Sequence, residues 1–190
     1  MSKTKLNLLA LLTLVGMGGI GIAIIEFFQD TPTIDLLEIG MKWEYQLPLG
    51  LAYGFITAWI GWKIIQLPFM SDVKSFYSSL IRGLKLGWKD VIFISFCAGV
   101  GEELLFRGGI QYWLGIYATS ILFVAIHGYL NPKDWKISLY GSYLTLVMIG
   151  ISYAFEELGL IAAMAAHFAI DVFLLGVIAF EPKIEPPSLP

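Results

Sequence analysis

The sequence predicts an all-α fold: a polytopic membrane helix bundle of about six transmembrane helices plus an amphipathic interfacial helix. Composition is the first reason. Of 190 residues, 57% are hydrophobic and only 14% charged, and the mean hydropathy is +0.76, far above the balance of a water-soluble domain. The second reason is length, because apolar runs near the roughly 20 residues that cross a bilayer core of about 30 Å recur along the chain. The third is the placement of a few ionisable groups inside those runs. Twelve basic residues against fifteen acidic ones leave a net charge of -3, so no basic field exists to draw nucleic acid. The single cysteine, Cys97, excludes a disulfide within the chain.

The expected spans cover residues 6–28, 47–67, 88–113, 117–130, 137–155 and 158–180. The first follows Lys3 and Lys5, is too long for a signal-peptide core, and has no clear small-residue cleavage site after it. The second carries Gly50, Gly54 and Ala58 at four-residue spacing, a face that lets a neighbouring helix come close. Between the second and third spans, Val73, Phe76, Tyr77, Leu80, Ile81 and Leu84 recur at helical spacing opposite Lys74, Ser75, Ser78, Arg82 and Lys85. That pattern predicts a helix lying on the membrane surface. The sixth span closes at Glu181-Pro182, before a proline-rich tail that is expected to fray.

Lys3, Lys5, Lys63, Lys74, Arg82, Lys85, Lys89, Lys133, Lys136 and Lys183 fall on one side of such a bundle, Lys42 on the other and Arg107 within a span. The asymmetry predicts cytoplasmic N- and C-termini and an integral protein of the cell (plasma) membrane. Residues 1–190 are expected to form a single transmembrane domain, with the chemistry in about 88–180 and the helices of 1–70 accessory.

An ionisable side chain at mid-bilayer costs about 2.5 to 3.5 kcal/mol on the insertion scale. This chain places six there: Glu102, Glu103 and Arg107, then His127, then His167 and Asp171, including both of its histidines. Glu103 and Arg107 are four apart with the acid first, which suits an ion pair along one helix face. Glu102 lies about 100° around the helix from Glu103 and is left without a charged partner on its own face. His167 and Asp171 share a face, beside Ala162, Ala163, Ala165, Ala166 and Ala169. Counted from the same membrane face, Glu102, His127 and His167 lie about 16, 15 and 14 Å deep at 1.5 Å per residue. They can therefore meet at one level.

A carboxylate and two imidazoles at that level suit hydrolysis of a peptide bond. Glu102 and His127 can hold and deprotonate one water, while His167 donates to the oxygen that turns negative. The same three side chains, Glu102, His127 and His167, are also ordinary zinc ligands. No helical H-E-x-x-H pair is present, so the reading leans to water activation with no cofactor required, zinc being the alternative.

At these residues the chain resembles the CPBP family of intramembrane proteases, which includes the type II CAAX prenyl endopeptidases and the Abi-type bacteriocin self-immunity proteins. The family pattern E-E-x-x-x-R, F-x-x-x-H and H-x-x-x-N/D reads here as Glu102-Glu103-Leu104-Leu105-Phe106-Arg107, Phe123-Val124-Ala125-Ile126-His127 and His167-Phe168-Ala169-Ile170-Asp171. The resemblance covers about half of the chain. It implies that Glu102 activates the water with His127, that Glu103, Arg107 and Phe123 support them, and that His167 and Asp171 serve the oxyanion side. Asp171 departs from the Asn often found there, because an ionised carboxylate donates no hydrogen bond. The implied partner is a membrane-embedded or lipidated peptide in the bilayer, with prenylation left open. A non-catalytic immunity or scaffold protein and a proton or ion conduit are the competing readings.

Overall fold

The computed structural model describes residues 3–181, so Lys183 and the proline-rich tail lie outside the described residues. Helix α1 (Lys3–Phe28) contains a π-helical turn at Thr13–Met17 and is followed by the short α2 (Thr33–Glu38). Then come α3 (Trp43–Ile65) and α4 (Ser71–Gly83). Helix α5 (Trp88–Glu103) continues through a π-helical stretch, Leu104–Ile110, into α6 (Gln111–Ile126). Helices α7 (Trp135–Glu157) and α8 (Leu160–Phe180) complete the bundle. Among the described residues there is no strand.

The outside is apolar and part of the inside is polar, as a bilayer requires. Phe27 and Leu146 are 80% and 67% exposed, while Glu103 and Arg107 are completely buried. Among the described residues, four helices are long and apolar enough to cross a membrane: Lys3–Phe28, Trp88–Ile126, Trp135–Glu157 and Leu160–Phe180. Helix α3 has the length, at 23 residues, but carries Glu44, Gln46 and Lys63 and is not among those four. The count of four therefore differs from the six expected.

The expected third and fourth spans are one rod that doubles back. Straight, the 39 residues of Trp88–Ile126 would reach about 58 Å at 1.5 Å per residue, nearly twice a bilayer core. Gly115 breaks the rod at φ 70 and ψ 176, a conformation that a residue with a Cβ adopts only under strain. From Gly115 to His127 the return arm descends only about 18 Å. There the chain turns again at Gly128, φ 79. Residues 117–130 thus form a half-length arm ending at His127, a correction to the expected full span. Irregular backbone at membrane depth is tolerated where it lines a cavity, and the turn at Gly128 is flanked by His127 and Tyr129, which line one.

The small-residue face foreseen on the second span meets the alanines of the sixth. A Cβ added at Gly54 would overlap the Ala166 carbonyl and lie 2.7 Å from the Ala169 Cβ, and one at Gly50 would overlap the Ala162 carbonyl. This contact of backbones sets the height of α8, which carries His167 and Asp171. Helix α1 approaches the π-helical stretch after α5 in the same way, since a Cβ at Gly21 would stand 2.5 Å from the Leu104 carbonyl oxygen. The carbonyls of Gly108 and Gly109 in the π-helical stretch accept from Gln29 Nε2 at 2.9 and 3.1 Å, so part of the wide turn's backbone is satisfied from α1's end.

The amphipathic helix is present as α4, with Val73 buried and Phe76 and Leu80 exposed on its outer side. It is pinned at both ends. Lys136 Nζ reaches Asp72 at 2.8 Å, while Lys74 and Arg82 reach the two oxygens of Glu181 at 2.7 and 2.9 Å.

Candidate active site

Glu102, His127, His167 and Asp171 all line one cavity of about 170 Å³, together with Phe123, Val124, Tyr129, Leu144, Met148, Ile170 and Leu174. The placement follows from the chain's two reversals. Glu102 and His127 are 25 residues apart and would be separated by about 37 Å on a straight helix; the break at Gly115 brings Glu102 Oε2 to 3.5 Å from His127 Nε2.

The hydrogen bonding of His127 fixes what it offers Glu102. Its Nδ1 lies 2.6 Å from the Phe123 carbonyl oxygen. A carbonyl only accepts, so Nδ1 carries a proton, and in the neutral ring Nε2 is the acceptor. Glu102 Oε2, buried and without a hydrogen-bond partner among the described residues, is also an acceptor when ionised. With the ring neutral, both atoms are acceptors at one stretch of the cavity wall, where a donor lying beside them can reach both.

Glu103 points the other way, with two donors on its Oε1 while its Oε2 is buried without a hydrogen-bond partner among the described residues. Its Oε1 accepts from Arg107 Nη1 at 3.1 Å and from His167 Nδ1 at 2.7 Å, with Glu103 and Arg107 fully buried. The ion pair expected from the i, i+4 spacing is present. Its extension to His167 was not read from the sequence, although Glu103 lies at the depth that placed Glu102 beside that histidine. Arg107 Nη2 also donates to the Met148 carbonyl at 3.2 Å and contacts the Met148 sulfur at 3.3 Å. Met148 carries no sequence signal, because it acts through a backbone oxygen and a thioether that looks like any other apolar side chain in a span. With Nδ1 held by Glu103, His167 turns Nε2 toward Asp171 Oδ2, 3.7 Å away.

Phe123 joins the two halves. Its ring stacks on His127 with centroids 4.5 Å apart, meets His167 edge-on at 5.5 Å, and lies 5.1 Å from the Arg107 guanidinium carbon. One aromatic side chain therefore fixes the planes of both imidazoles. Cys97 is buried and does not line this cavity.

Among the described residues no three His, Cys, Asp or Glu side chains are grouped so as to hold a metal ion. No step below is routed through a metal.

Comparison with known proteins agrees with the motifs. A family model described as type II CAAX prenyl endopeptidase Rce1-like matches residues 84–173, which carry all the cavity's ionisable groups. Over 163 residues the chain is 32% identical to the uncharacterized protein YpbD of Bacillus subtilis (strain 168), covering 82% of this chain and 80% of that protein. The chain belongs to the type II CAAX prenyl endopeptidase Rce1-like family, within the CPBP proteins. It is an all-helical integral membrane protein of a CAAX-type intramembrane protease family. No solved structure matches it significantly.

Proposed function

We propose that the protein is an intramembrane endopeptidase in which Glu102 and His127 activate a water against a peptide carbonyl. The observation that carries this reading is the opposed pair of acceptors, Glu102 Oε2 and His127 Nε2, 3.5 Å apart at the wall of a cavity they share with His167 and Asp171. One water can donate a hydrogen to each. As its oxygen bonds to the carbonyl carbon, Glu102 takes one of its protons. The C–N bond breaks when that proton passes to the leaving nitrogen, and Glu102 is restored as a carboxylate.

His167 serves the oxyanion. Two carboxylates, Glu103 and Asp171, face its two ring nitrogens, and the Arg107 guanidinium pairs with Glu103. An imidazolium balances those charges and leaves Nε2–H to donate to the oxygen that becomes negative. Asp171 then acts through His167, orienting and charging it, which answers the objection that a carboxylate repels an oxyanion. Glu103, Arg107 and Phe123 hold the rings in place.

The substrate class is a membrane-embedded or lipidated peptide, reached from within the bilayer. The enzyme sits in the plasma membrane with both termini in the cytoplasm, and nucleic acid has no part in its action. The test is cleavage of a membrane peptide by the purified chain. Glu102→Gln and His127→Ala are each expected to lower kcat by about 10²- to 10⁴-fold while the protein inserts and melts normally. Function that survives Glu102→Gln would favour a scaffold or immunity role, and ion flux into liposomes a conduit. Activity lost on exhaustive chelation and restored by zinc would overturn the metal-free mechanism.

A further inference from the structure

The oxygen of a tetrahedral intermediate is held by donors aimed at it in advance, each worth about 10²- to 10³-fold in kcat. The groups described above bring one such donor, Nε2–H of His167. Three side chains around the reaction cavity carry an N–H or O–H near neutral pH: His127, His167 and Tyr129. The Nδ1 proton of His127 goes to the Phe123 carbonyl at 2.6 Å, and Nδ1 of His167 is 2.7 Å from Glu103. The Tyr129 hydroxyl has no hydrogen-bond partner among the described residues. We propose that Tyr129 is the second oxyanion donor, its O–H directed to the same carbonyl oxygen as Nε2–H of His167. The inference rests on the proteolytic reading above and adds a catalytic residue to it.

Three observations support that role. The first is position. Tyr129 and Asp171 line both the reaction cavity and a second cavity of about 130 Å³ beside it, so they stand together where the two meet. Asp171 Oδ2 is 3.7 Å from His167 Nε2, which puts the tyrosine on the side where the negative oxygen forms. The second is rigidity. The Tyr129 backbone N–H donates to the Val124 carbonyl at 3.3 Å, and its own carbonyl backs onto Gly141 of α7, where an added Cβ would overlap it. Its ring meets Tyr140 edge-on at 6.1 Å. The side chain is therefore fixed before a substrate arrives, as a preorganised donor must be. The third is chemistry. A phenol with its pKa near about 10 keeps its proton at neutral pH, whereas an ionised Asp171 has none to offer. The hydrogen bond strengthens as the carbonyl oxygen gains charge and weakens when the C–N bond breaks, and no proton leaves the phenol.

The experiment uses the full chain in detergent micelles, a membrane peptide, and phosphinic counterparts in which each central C(=O)–NH in turn is replaced by P(=O)(O⁻)–CH₂. The phosphinate oxygen stands in for the oxyanion. Tyr129→Phe keeps the ring and removes the donor, so kcat is expected to fall about 10²-fold with KM within about twofold of native. One phosphinic peptide should bind at least about tenfold more weakly to this variant, while the plain peptide, measured with Glu102→Gln added to stop turnover, binds as before. 4-Methylphenylalanine at position 129 fills the hydroxyl's space without a donor and should repeat the loss. 4-Aminophenylalanine there returns a donor and should recover most of it, which a packing role would not predict. Tyr140→Phe removes a hydroxyl outside the lining of the reaction cavity and should change neither reading. Native kcat in Tyr129→Phe, or equal weakening of plain and phosphinic peptides, overturns the assignment. A phosphinate held through Tyr129 with no cleavage by the native chain would refute the protease and leave the donor. Cleavage indifferent to all three replacements at 129 would refute the donor alone.

Discussion

Glu102 and Glu103 are neighbours in sequence and opposites in circumstance. Glu103 is fully buried, and one of its oxygens is held by both Arg107 and His167. The Glu102 side chain keeps 12% of its surface exposed, ends in a cavity, and faces His127, itself 36% exposed, at a distance too long for a good hydrogen bond. The difference arises from the 100° that separates successive residues on a helix. One acid looks into the bundle, where an unpaired charge is intolerable and structure results. The other looks toward an open wall, where an unpaired acceptor can react.

Exchanging each acid for its amide breaks this comparison most directly. Glu102→Gln keeps shape and loses the base, so its loss is expected in kcat, with the melting temperature within a few degrees of native. Glu103→Gln takes the countercharge from both Arg107 and His167. Removing one partner of a buried ion pair costs about 3–5 kcal/mol, so this variant should melt early or fail to accumulate. Melting curves and single-turnover cleavage on the same preparations check both. If Glu103→Gln were stable and Glu102→Gln unstable, the roles would be reversed.

The same contrast shows what could be read in advance. Ionisable residues in apolar runs stand out because hydrocarbon penalises them, so Glu102, Glu103, Arg107, His127, His167 and Asp171 were all visible, as was the pairing of Glu103 with Arg107. The Gly50–Gly54 face and the alanines of α8 were legible for a similar reason, small residues being what lets backbones touch. Three features were not. Spacing arithmetic assumes a continuous helix, so it carried the fourth span past His127, where the chain turns at Gly128. It also assumes a constant turn, and the π-helical stretch Leu104–Ile110 departs from it. Met148 and Gln29 act on or through backbone atoms, which leave no mark in side-chain chemistry.

A smaller effect sharpens the comparison from the far side of α8. Gly54→Ala forces a methyl into the Ala166 carbonyl, and overpacking of this kind costs about 1–3 kcal/mol. Its interest lies in position. Pushing α3 off α8 moves His167 and Asp171, while Glu102 and His127 are carried by other helices. A shift near 1 Å can cost about 10²-fold in rate. The variant should therefore lose more in kcat than in stability, whereas Gly19→Ala, where an added Cβ meets nothing within 4 Å, should lose neither.

The weakest effect concerns α4. The hydrogen bond from Lys136, followed by that lysine's charge, holds the Asp72 carboxyl below its ordinary value of 3.8. A carboxylate whose folded value is depressed contributes stability above the unfolded value and loses it as pH falls through the folded one. Asp72 is largely exposed, so the contribution is small and screened by salt. Acidification below about pH 4 should accordingly loosen the α4 end next to Trp135, whose ring stacks on Phe69 at 6.0 Å, before the bundle melts. Asp72→Asn should produce the same loosening at neutral pH and remove its acid dependence, read as Trp135 fluorescence against a Trp135→Phe reference. Because the reaction groups lie on α5, α8 and the end of α6, that loosening should leave kcat of Asp72→Asn protein at neutral pH unchanged.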